Sequence, residues 1–395
     1  MTVLITGLGV LSCLGAGTDK FWAGMRAARS APGRAADPHA NMAHPLMYSV
    51  PAADVPSGPA ALGGSPLGQA SRYALAAAAE AVADAGLGQV ADPTRVAVVV
   101  GTGMGDSGMH EQWHLDGAPE GEWSPVFSPA ASIGGWFGAA GSNTSISNAC
   151  AASGFGLSVA ADLINSGEAD VVIAGGAEAY SRVALGCFNR LGAIDAERCR
   201  PFDRHRGGTV FGEGAAIMVL ESAEHAAARG ATAYAALAGA GWSCDAYHST
   251  APEPTGEQIV RAMYQAFDDA GVKPADIGAV VPHGTGTQLN DVVESGSLAQ
   301  VLGGAGLSMA QVPLYSLKGL IGHTGGAAGA LAALAGALIV SNREVPPSVA
   351  LGEQDPECPV LLPTQAVPLE GSAVLVNAYA FGGNNVSLVL QEVES

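Results

Sequence analysis

Short, wholly apolar runs alternate along this chain with longer alanine-rich stretches. Residues 3–5, 96–100, 171–174, 277–281, 373–376 and 386–390 have the length and β-branched content of strands buried on both faces. Residues 71–85, 153–166, 258–270 and 326–341 have the length and composition of helices. The alternation predicts an α/β protein built on a mainly parallel, helix-covered sheet. At half-chain scale there is a coarse echo. Cys150 opens an apolar helix in the first half, and Gly325-Gly326 opens an alanine-rich helix in the second. The Arg229-Gly230-Ala231-Thr232 segment is the seam between them, so residues 1–230 and 231–395 are expected to be two similar halves. Residues 32–64, rich in proline, alanine and glycine, read as a long surface excursion rather than a linker.

Composition narrows the function classes. Of 395 residues, 48% are hydrophobic and 13% charged, enough for a large core and against disorder. A net charge of −19 excludes the basic face that nucleic-acid binding needs. Six scattered cysteines (Cys13, Cys150, Cys187, Cys199, Cys244, Cys358) form neither a disulfide framework nor a zinc pattern. They imply a reducing, cytoplasmic setting, and the Met1-Thr2-Val3-Leu4-Ile5 start lacks the basic region of a secretory signal. Residues 319–342 are 24 positions without a formal charge, long enough to span a bilayer. Their glycine-rich beginning and alanine-rich remainder fit a turn feeding a buried helix better, so no membrane span is expected.

The candidate chemistry centres on one thiol. Cys150 lies in Ser147-Asn148-Ala149-Cys150-Ala151-Ala152-Ser153-Gly154, a small-residue turn before an apolar helix. Unpaired N–H groups and the dipole at a helix start favour a thiolate. Two histidines occupy glycine-rich turns, Pro282-His283-Gly284-Thr285-Gly286-Thr287 and Gly322-His323-Thr324-Gly325-Gly326. Together they point to a nucleophile with paired hydrogen-bond partners. The other histidines read as ordinary; His110 and His114 have i, i+4 spacing, but Glu111 between them does not complete a zinc-protease motif, so no metal is expected.

These residues resemble the β-ketoacyl synthases, condensing enzymes of the Cys-His-His class in the thiolase-like superfamily. Five blocks carry the resemblance in order: Asn148-Ala149-Cys150-Ala151; Ala174-Gly175-Gly176-Ala177-Glu178-Ala179; Arg200-Pro201-Phe202-Asp203-Arg204 with Phe211-Gly212-Glu213-Gly214-Ala215; His283 to Asp291 with Glu294; and Lys318 before Gly322-His323. The resemblance implies a five-layer α-β-α-β-α sandwich of two similar halves, a dimer, and a site where the halves meet. It implies that Cys150 accepts an acyl group as a thioester, which an extender then attacks after losing carbon dioxide. Backbone N–H groups of Cys150 and Phe381 match the oxyanion hole, and His283 and His323 match the donors to the enolate. Lys318 and Glu294 match a buried ordering pair, and Phe381, Gly382 and Gly383 match a gate. Thr285 and Thr287 match positions that bind the phosphopantetheine arm of an acyl carrier protein, the substrate carrier; no bound cofactor is implied. The partners implied are that carrier and either a second copy of the chain or a chain-length-factor-like subunit.

Three departures lean towards polyketide or specialised lipid assembly rather than primary fatty-acid synthesis. Residues 101–150 are shorter than is usual, with the loss around residues 129–138, where the family builds part of its acyl pocket. The basic cluster expected before Tyr73 is reduced to Arg72, and the gate reads Ala380-Phe381-Gly382-Gly383 instead of starting with glycine. Arg190, Arg198, Arg200, Arg204 and Arg206 either pair internally or dock the acidic carrier. Two competing readings remain, a non-elongating acyltransferase on the same fold and the partner subunit of a ketosynthase heterodimer. A degradative thiolase is disfavoured because Cys358 lacks a glycine-rich setting, and the Cys-His-Asn class because His323 stands where asparagine is expected.

Overall fold

The computed structural model describes residues 2–55, 57–88, 92–117 and 125–393. In chain order its main strands are β1 (Val3–Ser12), β2 (Leu46–Tyr48), β3 (Val96–Gly101), β4 (Asn143–Ile146), β5 (Val171–Glu178), β6 (Phe211–Gly212), β7 (Gly214–Ser222), β8 (Ala235–Cys244), β9 (Ile277–Val281), β10 (Ala373–Ala380) and β11 (Asn384–Gln391). The helices that build the layers are α1 (Gln69–Asp84), α2 (Ser128–Phe137), α3 (Ala152–Asn165), α4 (Arg182–Arg190), α5 (Glu257–Ala270), α6 (Gln288–Gly304) and α7 (Ala328–Asn342).

The strands hydrogen-bond in the order β9-β10-β11-β8-β1-β7-β5-β3-β4. β1 and β8 meet only where Val3, Leu4 and Ile5 face Leu237, Ala236 and Ala235. The ladder therefore narrows into two sub-sheets, each buried on both faces. Tyr73, Ala77 and Ala81 of α1 pack on Val98, Ile217 and Val219, outside the first. Met263 and Phe267 of α5, with Leu298 and Val301 of α6, pack on Leu375 and Val389, outside the second. Between the two lie α3 and α7, through Leu157, Ile164, Leu331 and Leu334. The result is the five-layer α-β-α-β-α sandwich that the resemblance implied. The charge-free stretch is the middle-layer helix α7, buried from Ala328 to Val340.

The sheet is mixed, which corrects the expectation of a mainly parallel one. β3 runs parallel to β4 and β5, and β9 parallel to β10. The β1–β7, β7–β5, β1–β8, β8–β11 and β10–β11 pairs are antiparallel. Burial on both faces gives an unbroken apolar run whatever the neighbour's direction, so the runs alone do not distinguish the two.

The middle layer brings the functional turns together. The Ser153 hydroxyl at the start of α3 accepts the Ala330 N–H at the start of α7, at 2.9 Å. A Cβ at Gly329 would stand 2.5 Å from the Gly154 backbone nitrogen, so glycine is what lets the two helices cross this closely. The described residues of 32–64 do wrap the outside, but they are more than a surface excursion. Met47 and Tyr48 of β2 are buried and pair in parallel with Phe211 and Gly212 of β6.

Candidate active site

Cys150 sits in a 3-10 turn, Ala149–Ala151, between β4 and α3. Ala149 has φ 54, a left-handed conformation that costs an L-residue roughly 1–2 kcal/mol and bends the chain sharply into the helix. The thiol is buried. Burial pushes its pKa up to about 12, against the pull of the Lys318 ammonium. Burial thus works against the thiolate that the helix start favours.

His283 follows β9, in a turn whose Gly284 and Gly286 have φ 37 and 80. His323 follows a short helix, Lys318–Ile321, and its N–H donates to the Val210 carbonyl at 2.8 Å. The two imidazoles lie 5.6 Å apart, nearly perpendicular. Both are buried, and burial first, then the nearby Lys318 charge, holds their pKa values well below the usual 6.5. Both rings are neutral at physiological pH.

Lys318 and Glu294 are both buried and feel each other's charge, though no side-chain contact within 4 Å joins them. They grip His283 separately. Lys318 Nζ donates to the His283 carbonyl at 2.5 Å and lies 3.5 Å from its Nδ1. Glu294 accepts the backbone N–H groups of His283 and Gly284, each at 2.8 Å. Burial raises the Glu294 carboxyl to about 7 and lowers the Lys318 ammonium. A carboxyl already served by two backbone donors has less need of the ammonium.

Two cavities meet at Cys150. The larger, about 340 Å³, is lined by Cys150, His283, His323, Thr285, Thr287 and Phe381, among others. The Thr285 and Thr287 hydroxyls are 2.8 Å apart. The smaller, about 150 Å³ and mostly apolar, runs past Ala149 and Cys150 to Met104, Tyr180, Leu185 and Phe211. Phe188 lines both; its ring stacks on Phe381 at 5.2 Å with 5° between planes and meets Phe211 edge-on at 4.8 Å. Gly382 and Gly383, with φ 85 and 75, turn β10 into β11 below Phe381. That turn is tied to the neighbouring loop by Gly382 N–H to Ser249 O at 2.9 Å and Asp245 N–H to Gly383 O at 2.9 Å.

Sequence reasoning missed Phe188, Met104, Tyr379 and Glu178. The first three are apolar or aromatic residues of ordinary composition, so no local signal sets them apart. Glu178 was visible only as part of a motif. Its buried carboxylate accepts N–H groups from Gly103, Met104 and Gly326, joining the Cys150 half to the His323 turn. Residues 129–138 contribute to neither cavity, so the shortened segment is not where this chain's own pocket walls arise. His323 and Tyr379 both line the larger cavity with buried rings, 2% and 4% exposed.

The chain matches the β-ketoacyl synthase N-terminal domain over residues 1–226 and the β-ketoacyl synthase C-terminal domain over residues 234–351. The chain belongs to the β-ketoacyl synthase family. It is 36% identical to 3-oxoacyl-[acyl-carrier-protein] synthase 2 of Staphylococcus aureus, over 82% of each chain. It is 35% identical to an oxytetracycline polyketide β-ketoacyl synthase of Streptomyces rimosus, over 99% of this chain and 97% of that one. Among solved structures, the ishigamide ketosynthase/chain length factor superposes with a TM-score of 0.88 at 36% identity, covering 100% of this chain and 99% of that one. Membership places the chain among acyl-transferring condensing enzymes.

Within this family member the arginine-rich stretch is mostly spent internally. Arg200 pairs with Asp195 at 2.9 Å, Arg204 with Glu353 at 2.6 Å, and Arg206 with Asp355. Arg198 donates to the Ala350 carbonyl at 3.1 Å, while Arg190 is exposed.

The depressed histidines predict a pH effect on stability. Unfolded histidines take up protons below about 6.5 while the buried ones do not, so their stabilising contribution is lost as pH falls through 6.5. Glu294, raised to about 7, works in the opposite direction, so the comparison is between wild type and His323→Asn. Between pH 7.5 and 5.5 the wild type is expected to lose more stability than the variant in urea unfolding. Equal losses would mean that His323 is not held neutral.

Proposed function

We propose that this protein is a β-ketoacyl-[acyl-carrier-protein] synthase that condenses a Cys150-bound acyl chain with a malonyl carrier. The observation that carries the reading is the convergence of Cys150, His283 and His323 on one cavity. In the first step the Cys150 sulfur forms a bond to the acyl carbonyl carbon, the carrier thiolate leaves, and the thiol proton goes to it. Backbone N–H groups of Cys150 and Phe381 serve the developing oxyanion. In the second step the extender loses carbon dioxide, and the bond's electron pair becomes an enolate that accepts hydrogen bonds from neutral His283 and His323. The enolate carbon attacks the Cys150 thioester, and the departing thiolate takes up one proton from water.

Supporting roles follow from placement. Lys318 and Glu294 position His283, and Lys318 adds positive charge near the enolate. Thr285 and Thr287 hold the phosphopantetheine arm of the carrier in the larger cavity. Phe381, on its two-glycine turn and stacked on Phe188, is the gate between the cavities. The smaller cavity takes the acyl chain. The two halves, residues 1–230 and 231–395, are the domains, the chain works in the cytoplasm, and its partners are an acyl carrier protein and a second ketosynthase-like subunit, identical or of chain-length-factor type. The presence of Cys150 favours the catalytic role over the partner-subunit role. Polyketide or specialised fatty-acyl assembly is the favoured setting.

The test is incubation of the purified chain with an acyl carrier and malonyl carrier labelled at its free carboxyl. Expected are an acyl adduct on the intact protein, labelled carbon dioxide, and a β-ketoacyl carrier. Acyl transfer without carbon dioxide release would establish the non-elongating acyltransferase instead.

A further inference from the structure

The smaller cavity has one wall of a different kind from the rest. Gly103 and Met104 are held through Glu178, whose carboxylate sits at the end of β5. Ala184, Leu185 and Phe188 come from α4. Met47, by contrast, is carried on the 32–64 excursion, which belongs to neither sub-sheet. Its side chain is buried with Ala35, Leu185 and Ile194, against Tyr180, Phe188 and Phe211.

The excursion is fastened to α4 at both ends of that helix. At its start, Asp37 Oδ2 accepts the Tyr180 hydroxyl at 2.7 Å and Arg182 Nε at 2.6 Å. At its end, the His44 N–H donates to Asn189 Oδ1 at 2.8 Å, and Asn189 Nδ2 donates back to the His44 carbonyl at 3.0 Å. Glu213 adds a third tie, accepting the N–H groups of Val50 and Tyr180, each at 3.0 Å. The Asp37 carboxyl is almost fully covered, at 7% side-chain exposure, and Arg182 holds it ionised down to a pKa of about 2. A two-residue pairing between β2 and β6 is too short to fix a wall by itself. The side-chain ties make Met47 and α4 one unit.

We propose that Met47 sets the length of acyl chain the smaller cavity accepts, and that the Asp37 clasp on Tyr180 and Arg182 holds it at that setting. The inference rests on the smaller cavity being the acyl site of the proposed reaction. Methionine suits the position because its unbranched, soft side chain fills an irregular gap without a rigid edge. Removing it opens room along the cavity, and enlarging it closes room. Breaking the clasp loosens the wall without changing what lines it.

The test loads wild type, Met47→Ala, Met47→Trp and Asp37→Asn with saturated acyl carriers of graded length and reads intact-protein mass. In Met47→Ala the longest chain loaded is expected to grow by on the order of two methylenes, the room left by the deleted side-chain atoms. In Met47→Trp it is expected to shorten, and in Asp37→Asn the cut-off is expected to broaden towards longer chains. Opposite shifts in the two Met47 variants exclude a general loss of fold as the cause. Acyl adducts with the same length profile in both Met47 variants would overturn the proposal and leave the condensing reading intact. No adduct on wild-type Cys150 would overturn both.

Discussion

Cys150→Ala is expected to leave no acyl adduct on the intact protein and to lower condensation by on the order of 10⁴-fold or more, because the covalent route disappears entirely. Of the six cysteines, Cys150 is the one that lines the two cavities. Cys199 and Cys358 are buried elsewhere, and burial pushes each thiol up to about 11. Cys187 and Cys244 are exposed and line neither cavity. Burial of Cys150 has a consequence for rate. Burial holds the thiol protonated at neutral pH, so acyl transfer is expected to quicken with rising pH up to the limit of protein stability. The alanine variant should fold, since it deletes one sulfur from a small-residue turn and costs roughly 1 kcal/mol. The decisive measurement is the mass of wild type and variant after incubation with an acyl carrier, followed by peptide mapping. An adduct on any other cysteine would move the nucleophile and dismantle the site built around Cys150.

How much of this was legible in the sequence depends on the kind of residue. The β9 strand, Ile277–Val281, stands at its expected bounds, and α5 starts one residue earlier than the pattern indicates, at Glu257. Strands β7 and β8 escaped the pattern, because Gly214-Ala215-Ala216 and Ala235-Ala236-Leu237-Ala238-Gly239 have the small-residue composition of the helices around them. The polar site residues were legible because glycine-flanked histidines and a cysteine in a small-residue turn are costly unless used. Phe188, Met47 and Met104 were not, since an apolar side chain facing a cavity and one facing the core leave the same periodicity. Lys318 and Glu294 show the limit of motif transfer. Both were found, but whether two buried charges pair or each grips a third residue is decided by backbone donors that no motif displays.

His323→Ala is expected to separate the two half-reactions. The acyl-enzyme should still form, because Cys150 and the backbone N–H groups proposed for its oxyanion hole are untouched. Decarboxylation should fall by about 10²–10³-fold, the usual cost of removing one donor to a developing oxyanion. Two observations support this role for His323 over packing. Its ring is neutral, so it donates a hydrogen bond without adding full positive charge beside Lys318. Its ring is fixed by Phe211, stacked at 6.1 Å, and by the His283 ring standing across it. His283→Ala offers the contrast. Lys318 and Glu294 grip the backbone of that residue rather than its ring alone, so the turn should persist when the imidazole is removed. Both variants should therefore keep acylation and lose carbon dioxide release, measured with carboxyl-labelled malonyl carrier. If His323→Ala instead lost acylation and decarboxylation to the same extent, the ring would be acting on the Cys150 thiol, and the enolate would be left to His283 alone.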